Sequence, residues 1–185
     1  RYSIHSVEQQ RTSKWGGMGS SKAHYIQMKI EFGCGKTPTK EGFMTCDIRD
    51  VPGVDFACPA WDIDKHVESN TVTDIFSRHF FEHLTFKQGE YLLEVWHNIL
   101  KPSGRVEMLI PNMRVHVQQW LDKDARAQRN IYGHQRGNFL DVWDVHKSGY
   151  DVDTLRELVT SKGYTGYCSL ASGKSKHVHV EFFKP

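Results

Sequence analysis

The sequence predicts an α/β fold: a Rossmann-like, open, mostly parallel sheet with helices on both faces and an antiparallel C-terminal edge strand. Three observations predict it. Strand-like and helix-like segments alternate through the middle of the chain. The first strand runs straight into a Gly-x-Gly turn. Two strand-like segments joined by a Gly/Ser turn then close the sequence. A chain of 185 residues fits one domain, so residues 27–185 read as that domain and residues 1–26 as a polar arm or short helix.

Ile26 to Phe32 alternates apolar and polar, the period of a strand. Phe43 to Cys46, Val54 to Ala57 and the β-branched run Thr71 to Ser77 are the next strands. Lys87 to Leu100 is a helix, because Tyr91, Leu92, Val95, Trp96, Ile99 and Leu100 share one face at helical spacing. Lys101-Pro102-Ser103-Gly104 stops it, since Pro cannot continue a helix and Gly allows the turn. Arg105 to Ile110 is a strand. Val115 to about Ala125 fits a helix, and residues 127–150 read as loop. Asp153 to Lys162 is a helix, with Asp151 or Asp153 as its N-cap and Gly163 as its stop. Tyr164 to Leu170 and His177 to Phe183 are the closing strand pair.

Composition narrows the function. Apolar residues make up 38% and charged residues 25% of the chain, and the net charge is +2. That balance gives no electrostatic case for nucleic acid or an anionic membrane. No apolar run approaches the ~20 residues of a membrane span, and the first residues lack the apolar core of a signal peptide. Cys34, Cys46, Cys58 and Cys168 form no C-x-x-C pair, so reduced thiols in a cytoplasmic protein are expected and a zinc knuckle is not.

In open parallel sheets the ligand sits at the carboxyl ends of the strands, where the strand order reverses. That directs attention to Gly33 and Gly35. A tight turn without a ligand would also use these glycines. Asp47 adds weight, because an acid closing the second strand can accept both hydroxyl hydrogens of a ribose. It arrives sooner after Gly33 than the ~20 residues of a dinucleotide fingerprint. The segment between Gly35 and Phe43 is too short for an ordinary crossover helix. The first crossover is therefore shortened, and the site suits a nucleoside without a pyrophosphate.

Here the chain resembles the class I S-adenosylmethionine (SAM)-dependent methyltransferases, particularly the short bacterial type 11 group. Glu31-Phe32-Gly33-Cys34-Gly35 is similar to the family's acid-x-Gly-x-Gly loop, and Asp47 sits at its ribose acid. Glu82-His83-Leu84 is similar to its E-H-L after the fourth strand. Leu100-Lys101-Pro102-Ser103-Gly104 is similar to its L-K-P-G-G turn, with Ser103 replacing Gly. Pro111-Asn112 is similar to the end of its fifth strand. The resemblance runs from about Lys29 to Asn112, with a looser echo from Tyr150 to Tyr167.

The resemblance implies SAM as cofactor and S-adenosylhomocysteine as product. Glu31, Phe32, Gly33, Cys34 and Gly35 would border its methionine and ribose, Asp47 would hold the ribose hydroxyls, and Ile48 would lie beside the adenine. The adenine pocket would be completed either by Asp62, or by Ala60 and Trp61 with Cys58 in place of an acid. Arg78 and His79 would border the methyl-transfer point. Alignment supplies most of the catalysis in such a displacement. A hydroxyl acceptor needs a base as well, for which His79 is the candidate. Glu82 and His83 read more simply as caps of the following helix. His83, His134 and His146 are candidate substrate contacts, though loop histidines are commonly just solvated. The expected acceptor is a small metabolite or a sugar or glycan hydroxyl.

Two other readings compete. One is a non-catalytic nucleoside-binding module of the same fold. The other takes His79-x-x-Glu82-His83 as the inverted zinc-protease motif, which requires one long helix carrying both histidines. Thr71 to Ser77 reads as a strand ending just before it, so no metal ligand is assigned.

Overall fold

A computed structural model describes residues 27–135 and 144–185. The expected arm over residues 1–26 lies outside the described residues. Seven strands form one sheet in the order β3-β2-β1-β4-β5-β7-β6: β1 Met28–Phe32, β2 Met44–Asp47, β3 Phe56–Ala57, β4 Val72–Arg78, β5 Leu100–Pro111, β6 Thr165–Ser169 and β7 His177–Phe183. The pairs among β1 to β5 are parallel. β7 runs antiparallel to β5 and β6. The helices are α1 Phe86–Ile99, α2 Met113–Leu121, α3 Ala127–Tyr132 and α4 Val152–Ser161, with short 3-10 turns at Ala60–Lys65 and Phe81–His83. The Rossmann-like architecture with an antiparallel edge is thus the one the sequence predicts.

Several boundaries differ from the sequence reading, each for a local reason. Residues 127–132 are helical rather than loop. They carry no apolar period, and only Ala127 is buried, so the helix rests on contacts with α2 such as Trp120 against Tyr132. α2 starts at Met113 and ends at Leu121, earlier than expected at both ends. β5 begins at Leu100, because Leu100 pairs with Val72 and Ser103 N–H donates to the Lys184 carbonyl, which keeps the turn residues in the ladder. β3 is only two residues long. Glu82 and His83 do not cap α1; Thr85 does, through a capping box with Gln88. For α4 the cap is Asp151, whose carboxylate accepts from the Asp153 and Thr154 amides.

Strand alternation sorts the sheet into two unlike faces. Ile30, Phe32, Ile75, Val106, Met108, Val178, Val180 and Phe182 join Ile63, Leu92, Leu93, Trp96, Leu155 and Val159 in one core cluster. The two core-packing helices α1 and α4 and the 3-10 turn therefore cover the same face. Trp96, fully buried, lies 5.0 Å from the Phe32 ring and 6.3 Å from Phe81. Each such burial contributes roughly 1.5–3 kcal/mol.

The opposite face carries Lys29, Glu31, Asp74, Arg105, Glu107, His179 and Glu181, the residues between the core positions. All but Glu31 pair with one another, with Lys40 added from the crossover loop. Glu107 accepts from Lys40 Nζ at 3.1 Å and bonds His179 Nε2 at 3.0 Å, and Arg105 bridges Asp74 and Glu181. The sequence reading expects helices on both faces. Among the described residues the core-packing helices share one, because the β1–β2 and β2–β3 connections are too short to hold a helix.

Side chains anchor those short connections instead. The buried Glu31 carboxylate accepts from Thr39 N, Thr39 Oγ1 and Lys40 N at 2.8–3.1 Å. Asp55 does the same for the next loop, accepting from Thr45 N and Oγ1. Hydrogen bonds to a carboxylate are worth roughly 1.5–3 kcal/mol each, so three of them can hold a crossover without a helix.

Candidate active site

The chain runs from β1 outward to β3, then jumps back past β1 to β4. A crevice opens at the carboxyl ends of the strands where that reversal occurs. It holds a cavity of about 440 Å³, within the size range of small-molecule sites. Gly33 closes β1, and Cys46, Asp47, Ile48 and Arg49 come from the end of β2. Pro59, Ala60 and Trp61 come from the 3-10 turn, and His79, Phe80, His83 and Leu84 from the segment after β4. Gln88, Asp144 and Lys147 complete the wall.

The glycine loop has a definite packing role. Gly33 has φ +69°, and a Cβ there would meet Phe80 Cβ at 2.4 Å. Gly35 has φ +60°, and a Cβ there would lie 2.9 Å from an Arg49 guanidinium nitrogen. The two glycines thus admit the Phe80 ring and the Arg49 side chain, and both sit where L side chains are strained.

Asp47 is the electrostatic centre of this end. Oδ1 accepts from Arg49 N at 3.0 Å and Nε at 2.9 Å; Oδ2 accepts from Gly35 N at 2.8 Å and Arg49 Nη2 at 3.2 Å. Burial pushes its carboxyl up, but the Arg49 and Gly35 bonds and the Arg49 charge outweigh this and hold it below the usual carboxylate range. Burial, with Asp47 and Glu31, pushes the neighbouring Cys34 thiol up to about 11, which disfavours its thiolate. All four cysteines are free.

At the other end, His79 has φ +50°, a strained conformation for a non-glycine residue, costing roughly 1–3 kcal/mol. Its Nδ1 lies 3.2 Å from Glu82 Oε1. A buried carboxylate on Nδ1 fixes that nitrogen as the donor and leaves Nε2 as the basic one. Glu82 is only 2% exposed, and its Oε2 has no hydrogen-bond partner among the described residues. The inverted zinc-protease geometry does not form: His79 follows a strand end, and Glu82 and His83 lie in a three-residue 3-10 turn. Glu82 and His83 instead meet His146, with one ligating atom of each within 4.8 Å of the others. These three are the described residues that could hold a metal.

The sequence-predicted residues therefore separate. Gly33, Asp47, Ile48, Ala60, Trp61, His79 and His83 line one cavity. Asp62 pairs with Lys65 at 2.8 Å and does not line it, so Ala60 and Trp61 are the pair facing the cavity. Glu31 is committed to the crossover loop, Phe32 to the core, and Gly35 to Asp47. Arg78 and His134 are exposed and do not line the cavity. Arg49, Phe80 and Lys147 escape sequence reasoning. Arg49 has a signal, a cation two residues beyond a candidate ribose acid; Lys147 has none, because only folding brings its loop to the turn at Glu82.

No protein-family model and no curated relative matches the chain, whereas its fold has many solved counterparts. A SAM-dependent methyltransferase from Archaeoglobus fulgidus superposes with a TM-score of 0.57 at 13% identity, over 85% of this chain and 86% of that one. One from Thermotoga maritima gives 0.60 at 12% identity, over 85% and 82%. Human N-acetylserotonin methyltransferase, solved in complex with SAM, gives 0.50 at 12% identity, over 86% of this chain and 48% of that one. The class defined is thus the Rossmann-like fold of SAM-dependent methyltransferases.

Proposed function

We propose that this chain binds SAM in the cavity at the switch point and transfers its methyl group to a hydroxyl of a small metabolite or glycan. The observation that carries the reading is the joint placement of Asp47, Ala60, Trp61 and His79 around one cavity beside Gly33. Asp47 would take the ribose diol, Trp61 with Ala60 and Ile48 the adenine, and His79 would face the acceptor. The fold likeness supports this class of cofactor.

In-line methyl transfer depends chiefly on holding the acceptor oxygen against the sulfonium methyl. His79 Nε2 would take the acceptor's hydroxyl proton; SAM, held by Gly33, Asp47, Ala60 and Trp61, would supply the methyl group and leave as S-adenosylhomocysteine. Glu82 holds the imidazole in the required tautomer and stabilises its charged form.

Calorimetry with SAM and with S-adenosylhomocysteine tests the cofactor half. Saturable binding that weakens in Asp47→Ala is expected, and no binding to the folded chain overturns it. Transfer of labelled methyl groups to a panel of hydroxylated acceptors tests turnover. Cofactor binding without transfer to any acceptor would favour a nucleoside-binding module.

A further inference from the structure

Three side chains able to ligate a metal, Glu82, His83 and His146, converge beside the acceptor wall of the cavity. His83 Nδ1 lies 3.1 Å from the Val145 carbonyl, and His146 Nδ1 lies 3.2 Å from the Ile131 carbonyl. A carbonyl can only accept, so each Nδ1 carries the hydrogen and each Nε2 keeps its lone pair. The two rings meet edge to face, 5.0 Å apart. Glu82 contributes a buried carboxylate whose Oε1 is taken by His79 and whose Oε2 has no partner. One ligating atom from each residue lies within 4.8 Å of the others.

We propose that Glu82, His83 and His146 bind one divalent first-row transition-metal cation, leaving its remaining coordination positions open toward the cavity. Each histidine's other nitrogen donates to a backbone carbonyl, the arrangement that fixes ring orientation and tautomer in metal-ligating histidines. Two imidazoles and one carboxylate select a transition metal over magnesium or calcium, which prefer all-oxygen sites. A bridging water is a poorer answer, because its two hydrogens cannot satisfy three acceptors.

The site's position gives it a role. His83 lines the cavity and His146 packs directly behind it, so an open coordination position faces the acceptor end. A cation there would bind an acceptor oxygen and ease loss of its proton. That role rests on the methyl-transfer reading; metal binding itself does not.

The test uses the untagged full chain, stripped with chelator and titrated with Co²⁺, whose visible ligand-field bands report imidazole and carboxylate ligation. One saturable Co²⁺ per chain is expected, with affinity reduced at least about tenfold in His146→Ala and Glu82→Gln and unchanged in the exposed-surface control His66→Ala. No saturable binding by the wild type overturns the proposal. So does binding that His146→Ala and His83→Ala leave intact. Should Glu82→Gln fail to fold, the two histidine variants decide, their folding checked by thermal melts. Cobalt binding without SAM binding would keep this site and overturn the methyltransferase reading; the converse overturns this site alone.

Discussion

Arg49 saturates Asp47. The two Asp47 oxygens together accept four hydrogen bonds, two of them from the Arg49 side chain and two from the Gly35 and Arg49 amides. A carboxylate has about four lone-pair sites, so no site remains for a ligand while Arg49 stays. Withdrawal of the guanidinium frees one position on each oxygen, the number two ribose hydroxyls require. The Arg49 side chain is 48% exposed while Asp47 is buried, so the guanidinium can swing into water as the two ribose hydroxyls replace its hydrogen bonds to the carboxylate. Arg49→Ala is therefore expected to bind S-adenosylhomocysteine as tightly as wild type or several-fold more tightly. Asp47→Ala is expected to weaken binding by roughly 1.5–3 kcal/mol. Calorimetry on both variants checks the pair, and a large loss in Arg49→Ala would make Arg49 a ligand contact instead.

Gly33→Ala should be poorly tolerated. Its φ of +69° is strained for alanine, and the nearest obstacle is Phe80 Cβ at 2.4 Å. Strain at such positions costs roughly 1–3 kcal/mol, and the overlap adds to it. Because the obstacle is a Cβ, trimming Phe80 to alanine should not rescue stability, whereas Phe80→Gly should recover part of it. Urea denaturation of the single and double variants measures this.

The charged face predicts acid sensitivity. Burial pushes the Glu107 carboxyl up, but hydrogen bonds from His179 and Lys40, with the Lys40 and Arg105 charges, outweigh it and leave it depressed. A depressed carboxyl contributes stability that is fully present above its unfolded value, near 4.3, and is lost as pH falls from there through the folded value. Glu107→Gln should therefore be less stable than wild type at neutral pH, with the difference closing in acid. Denaturation curves across pH 2 to 7 test the sign.

Tyr164 ties the start of β6 to α1. Its buried hydroxyl donates to the Leu93 carbonyl at 2.8 Å, and burial pushes its pKa up. Tyr164→Phe keeps the ring contact with Phe182 and loses one hydrogen bond. A loss of roughly 0.5–1.5 kcal/mol is expected. The thermal midpoint should drop without a change in cofactor affinity.

The sequence by itself determined the order of the seven strands and of α1, α2 and α4, because a period of two or 3.6 states which face a segment buries; α3, which has no apolar period, it missed. It also determined that the first crossover is short and that Gly33, Asp47 and His79 lie at the ends of the first, second and fourth strands, which places them at one end of a parallel sheet. The tertiary structure alone decided how those residues are used. Glu31 reads as a ligand residue by position, yet its carboxylate anchors the crossover loop, since a short connection leaves amides that need an acceptor. Asp47 reads as a waiting ribose acid, yet Arg49 fills it, because a buried carboxylate takes the nearest cation. His83 and His146 read as separate loop histidines; only the packing of the segment after residue 143 against the Phe81–His83 turn brings them edge to face beside Glu82. Periodicity encodes faces, whereas pairing between distant loops depends on where the fold carries them.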